Sequence, residues 1–117
     1  VRCYNMGMDF KRVKVITTVP AKEADKLREA LAKAGTGNMG DYRECSFSIL
    51  GKGRFRPTED ADPHIGKPNK LEVVEEEQIN VMCKREYAKQ VVQALRKAHP
   101  YEEPLIEVIP LIDEADL

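Results

Sequence analysis

The stretch "VKVITTVPAKEADKLREALAKAG", Val13–Gly35, decides the fold. Its first seven residues are β-branched and nearly alternating, the pattern of a strand. Pro20 suits the first turn of a helix, where its missing N–H has no partner to lose. Ala24, Leu27, Leu31 and Ala34 then recur at spacings of three and four and form one apolar stripe. Glu29 and Lys33 stand one turn apart on the wet face. Gly35 supplies the left-handed conformation that stops a helix.

The same unit returns further along. Shifted by 64 positions, Ala24, Ala30, Leu31, Lys33 and Ala34 fall on Ala88, Ala94, Leu95, Lys97 and Ala98, and Leu27 falls on Val91. "REYAKQVVQALRKA" is therefore a second helix, with Ala88, Val91, Leu95 and Ala98 as its stripe. Pro100 pushes His99 towards an extended conformation and ends it. Between the helices, Glu44–Leu50 alternates and predicts a strand with Cys45, Phe47 and Ile49 inward and Ser46 and Ser48 outward. Gly51–Asn69, rich in glycine and proline, predicts a long loop or open hairpin. Lys70–Cys83 predicts a third strand and Leu105–Ile109 a fourth, placed at an edge by its bracketing prolines.

The order β-α-β-β-α-β predicts an α+β fold, a ferredoxin-like sandwich. Its four-stranded antiparallel sheet carries both helices on one face. Right-handed crossovers put the helices on the same side. The other face is left bare, with Ile16, Ser46, Ser48, Val74, Met82 and one phase of the last strand expected on it. A large apolar patch marks an interface, so a homo-oligomer is expected. The domain is expected to span residues 13–111, between an N-terminal extension, 1–12, and a C-terminal tail, 112–117.

Composition narrows the function. The 117 residues hold 19 basic and 20 acidic side chains, a net charge of −1, so no basic footprint for nucleic acid exists. No apolar run nears the roughly 20 residues that span a bilayer, and no membrane partner is expected. Cys3, Cys45 and Cys83 are odd in number and scattered, which argues for a reducing, cytoplasmic setting.

Four stretches could carry chemistry. In "GKGRFRP", Gly51, Gly53, Arg54 and Arg56 offer bare backbone and guanidinium groups suited to a small anion, though the spacing is not that of a P-loop. "TEDADPHIGKPN" places Asp60, Asp62, His64 and Gly66 in one loop; a solvated acidic turn is the plainer reading. "EVVEEEQ" reads as an edge or solvent-facing strand segment whose like charges resist pairing, with Glu72 the acid nearest the loop. "HPYEEP" brings His99, Tyr101 and Glu102 to a helix-to-strand corner, where a rigid turn is the plainer reading and ligand binding the sharper one. No cofactor is required by these patterns. The donors available to a divalent metal are His64, His99, Cys45 and Cys83, with Glu102.

"GNMGDYRECSFSILGKGRFRP" (Gly37–Pro57), "PHIGKPNKLE" (Pro63–Glu72) and "KAHPYEEPLIEVIPL" (Lys97–Leu111) together resemble the insert domain of the Nif-three-like family. "HPYE" entering the last strand is also similar to the CutA proteins. The resemblance implies a stand-alone PII/CutA-like domain that forms trimers with the sheets turned inward and has its ligand clefts between subunits. It points to a non-catalytic, self-associating module that binds a small anion, a metal or a partner protein at subunit boundaries. The family's metal-binding histidines lie in flanking domains that this sequence lacks. The alternatives are a metal-dependent hydrolase related to the Nif-three-like family and a protein that handles divalent cations or copper, as the CutA likeness would imply.

Overall fold

A computed structural model describes residues 9–117. Four strands, β1 (Arg12–Pro20), β2 (Phe47–Phe55), β3 (Glu72–Lys84) and β4 (Glu107–Leu111), form one antiparallel sheet in the order β2-β3-β1-β4. The expected N-terminal extension lies outside the described residues except for its last four. After β4 the chain makes a 3-10 turn, Glu114–Asp116. Among the described residues no helix is long and apolar enough to cross a membrane.

Helices α1 (Ala24–Ala34) and α2 (Ala88–Ala98) each follow a 3-10 turn, Ala21–Glu23 and Arg85–Tyr87. Helix and turn boundaries repeat at the 64-residue shift read from the sequence, and β1 and β3 end at the same relative position. The two βα units are thus equivalent in structure as well as in sequence.

Both helices lie on one face of the sheet. Val13, Val15, Thr17 and Val19 of β1 alternate into that layer, and the register brings Cys83, Val81 and Ile79 of β3 beside the first three of them. Leu27 and Leu31 of α1 and Val91 and Leu95 of α2 close over them, each exposed by 1% or less. This is the only layer of side chains removed from water on both sides, so the stability of the fold rests on it.

Three expectations need correction. β2 begins later than expected and runs straight through the glycines to Phe55. Its phase is also opposite to the expected one. Ser48 lies on the helix face, where it accepts a hydrogen bond from Arg28 of α1 at 3.0 Å, while Phe47 and Ile49 lie on the open face, 63% and 49% exposed. Cys45 precedes the strand altogether. Alternation shows which side chains share a face; it does not show which face the helices cover. The acidic run is not at an edge either, since β3 lies between β2 and β1. Glu77 is paired with Arg28, and Glu76 is buried. Last, β4 starts two residues later than expected and includes Pro110, opposite Val13; an edge strand tolerates the missing N–H.

Leu95→Ala should cost about 2–5 kcal/mol in urea denaturation, the usual range for emptying a packed leucine site. Lys97→Ala, on the wet face of the same helix, should change stability by no more than about 0.5 kcal/mol. Equal losses would show that α2 does not bury its stripe against the sheet.

Candidate functional site

The corner after α2 is built from "HPYEEP". α2 ends at Ala98, and His99, extended at φ −75° and ψ 136°, leaves it. The imidazole is buried, with Nδ1 accepting from the Tyr101 N–H at 3.0 Å and Nε2 bonded to the Thr18 carbonyl of β1 at 2.7 Å. A carbonyl accepts only, so the ring is neutral with its proton on Nε2. Both nitrogens are occupied, which leaves no lone pair for a metal. Burial pushes the pKa of His99 below its ordinary value, against the opposing pull of the Thr18 carbonyl and of Glu76 and Glu23.

The turn that His99 holds aims Tyr101 onto the open face of the sheet. Its hydroxyl donates to Oε2 of Glu76 at 2.7 Å. Burial, and then the hydrogen bond to Glu76, raise the Tyr101 pKa well above the phenol range. Glu76 is 7% exposed, although β3 carries it on the face without helices. The glycines of "GKGRFRP" make this arrangement fit. Gly51 stands opposite Glu76 in the ladder and Gly53 stands diagonal to it; a Cβ on Gly53 would fall 2.0 Å from Glu76 Oε1. Glycine at 53 therefore leaves room for a carboxylate, which removes the physical basis of the expected anion cradle there.

The β2–β3 loop folds back over the same end of the sheet. The Asp62 N–H donates to Glu102 at 2.9 Å, and His64 Nε2 lies 3.1 Å from a carboxylate oxygen of Glu23. Gly66 has φ +99° and packs against Glu72, whose Cγ would be 2.6 Å from any Cβ at that position. Arg56 donates to the Asn69 carbonyl at 2.7 Å and closes the base of the loop.

Between loop, sheet and corner lies a cavity of about 570 Å³ within a single chain. This size is ordinary for a small-ligand site. Of the residues singled out in the sequence, Gly51, Gly53, Arg54, Arg56, His64, Tyr101 and Glu102 line it. Gly66, Glu72 and His99 do not line it: the first two shape the loop, and His99 holds the corner from behind. Cys45 and Cys83 lie towards the other end of the sheet. Cys45 is tied through Gly37 to Met82, roughly 20 Å along β3 from Glu76 at the usual rise per residue. Cys83 is buried, and burial pushes its thiol pKa up, away from the reactive range. The combination of His64, His99, Glu102 and Cys45 is thus not assembled, and among the described residues no three His, Cys, Asp or Glu side chains converge as a metal site.

Glu76, Gln78, Phe55 and Leu105 also line the cavity and were missed by sequence reasoning. Glu76 sat in view within the acidic run. Only the hairpin register, which places it opposite Gly51, distinguishes it from its neighbours.

No family model matches the sequence. Over 103 residues the chain is 42% identical to a protein of Halalkalibacterium halodurans named GTP cyclohydrolase 1 type 2 homolog, a match that takes 88% of this chain and 28% of that protein. A Bacillus subtilis protein of the same name is 37% identical over 98 residues, 84% of this chain and 26% of its own length. The chain thus spans about a quarter of the length of these curated relatives. Among solved structures, a Bacillus cereus protein related to NIF3 superposes with a TM-score of 0.76 at 36% identity, over 89% of this chain and 26% of that one. CutA from Synechococcus elongatus superposes at 0.65 and 21% identity, covering 89% of this chain and 80% of its own. The CutA likeness establishes the fold.

His99 makes stability depend on pH. Its folded pKa lies below the ordinary imidazole value of about 6.5, so between the two values the unfolded chain binds more protons than the folded one. Stability should therefore be full above about pH 6.5 and fall as the pH drops below it. His99→Gln, which does not titrate, should lower stability overall yet flatten its pH dependence. Urea midpoints between pH 5 and 8 check this, and parallel curves for the two proteins would contradict it.

Proposed function

From the premise that the chain carries the PII/CutA-like domain of the Nif-three-like proteins, we propose that it is a non-catalytic, self-associating module, a homotrimer with its sheets turned inward. It binds a small ligand or a partner protein in the cavity at the subunit boundary. One observation carries the reading. The face of the sheet without helices presents Phe47, Ile49 and Ile109, exposed by 63%, 49% and 42%, together with Ile16, Val74 and Met82. Two helices have no surface left to cover it, and patches of this kind mark interfaces. The cavity lies on the same face, so a neighbouring subunit would border it.

The relatives' names refer to an enzyme, and those proteins are nearly four times as long as this chain. Within the matched part the buried titratable groups serve the fold: His99 spans the corner and Cys83 is packed in the core. A metal-dependent reaction draws no support from them. Unpaired Cys45 and Cys83 fit a reducing compartment, and we place the module in the cytoplasm.

Sedimentation velocity at micromolar concentration should give a species near three times the 13.3 kDa protomer mass. Phe47→Glu combined with Ile109→Glu should drive it to a single protomer with unchanged circular dichroism. A 13.3 kDa species for the unmodified chain at these concentrations would overturn the reading.

A further inference from the structure

Glu76 is a buried carboxylate with an incomplete set of partners. Tyr101 satisfies Oε2. Oε1 accepts no hydrogen bond among the described residues, yet it is not sealed from solvent, since no buried side-chain oxygen is left unpartnered. No lysine, arginine or histidine lies within ion-pair distance of either oxygen, although Arg28, one residue along β3, holds Glu77 on the opposite face. Buried charges in proteins are normally paired, because desolvation is otherwise uncompensated. Glu76 lines the cavity, beside the apolar walls of Ile49, Phe55 and Leu105.

We propose that this cavity binds a small cationic ligand, one with a planar or apolar body and an amidinium- or ammonium-type head whose N–H groups bond to Glu76 Oε1. The sign of the charge is opposite to that expected from the arginines of the loop. Arg56 is already bonded to the Asn69 carbonyl at the base of the loop, and strand alternation directs Arg54 to the helix face. The charged group left facing the cavity floor is the carboxylate. The inference deepens the binding half of the proposed function and is independent of the self-association half.

Benzamidinium, benzamide and benzoate share one ring and differ in head-group charge, so they serve as probes on the full chain. Benzamidinium should bind at least about tenfold more tightly than either of the others in isothermal titration, the scale of a charge-assisted hydrogen bond. Amide shifts in NMR should map to Ile49, Phe55, Glu76 and Leu105. Glu76→Gln should abolish the preference. If that variant does not fold, the ranking of the three probes on the unmodified chain still decides. Benzoate binding best, equal binding of all three, or shifts that map elsewhere would each overturn the inference. So would a crystal of the assembly with a neighbour's lysine or arginine seated on Glu76. Sedimentation run in parallel separates the two ideas. A trimer that ignores benzamidinium sinks the ligand and spares the assembly, and a single protomer that binds it does the reverse.

Discussion

One-sided packing governs this molecule. Two helices of three turns cover one face of a four-stranded sheet, and Leu27, Leu31, Val91 and Leu95 form the seam. Burying such side chains contributes roughly 1.5–3 kcal/mol each, so the helix layer is where the fold is held. The open face shares none of this burial. Its apolar residues and its cavity follow from the same fact, that a duplicated β-α-β unit with right-handed crossovers puts both helices on one side.

The functional end of the sheet is held by a chain of polar contacts. It runs from the Thr18 carbonyl through the His99 ring to the Tyr101 N–H, and from the Tyr101 hydroxyl to Glu76. The chain ties β1, the corner after α2 and β3 together across the sheet. A neutral imidazole suits this place because it donates on one side and accepts on the other. A histidine that looks like a ligand in the sequence is here a strut. The carboxylate at the end of the chain is the group with capacity left over.

Much of the architecture was legible in the chain. The helix stripes, the equivalence of the two βα units, the Gly35 stop, the Glu29–Lys33 pair at 3.2 Å and the corner at His99 all depend on neighbours within a few positions. Less of the site could be read. Gly51 and Gly53 were visible as unusual, and an anion was the natural occupant to suggest, because the arginines beside them stand next in sequence. Their actual neighbour is Glu76, some two dozen positions away.

The sequence by itself determined the order of elements and the side chains that share a face, because periods of 3.6 and 2 residues are properties of a local backbone. Tertiary structure alone decided which face of β2 the helices cover, how β2 registers against β3, and hence which acid of "EEE" is buried beside a cavity. A strand has two faces of equal geometry. Only packing against helices distant in sequence breaks that symmetry, and a shift of one residue in register would reverse the outcome.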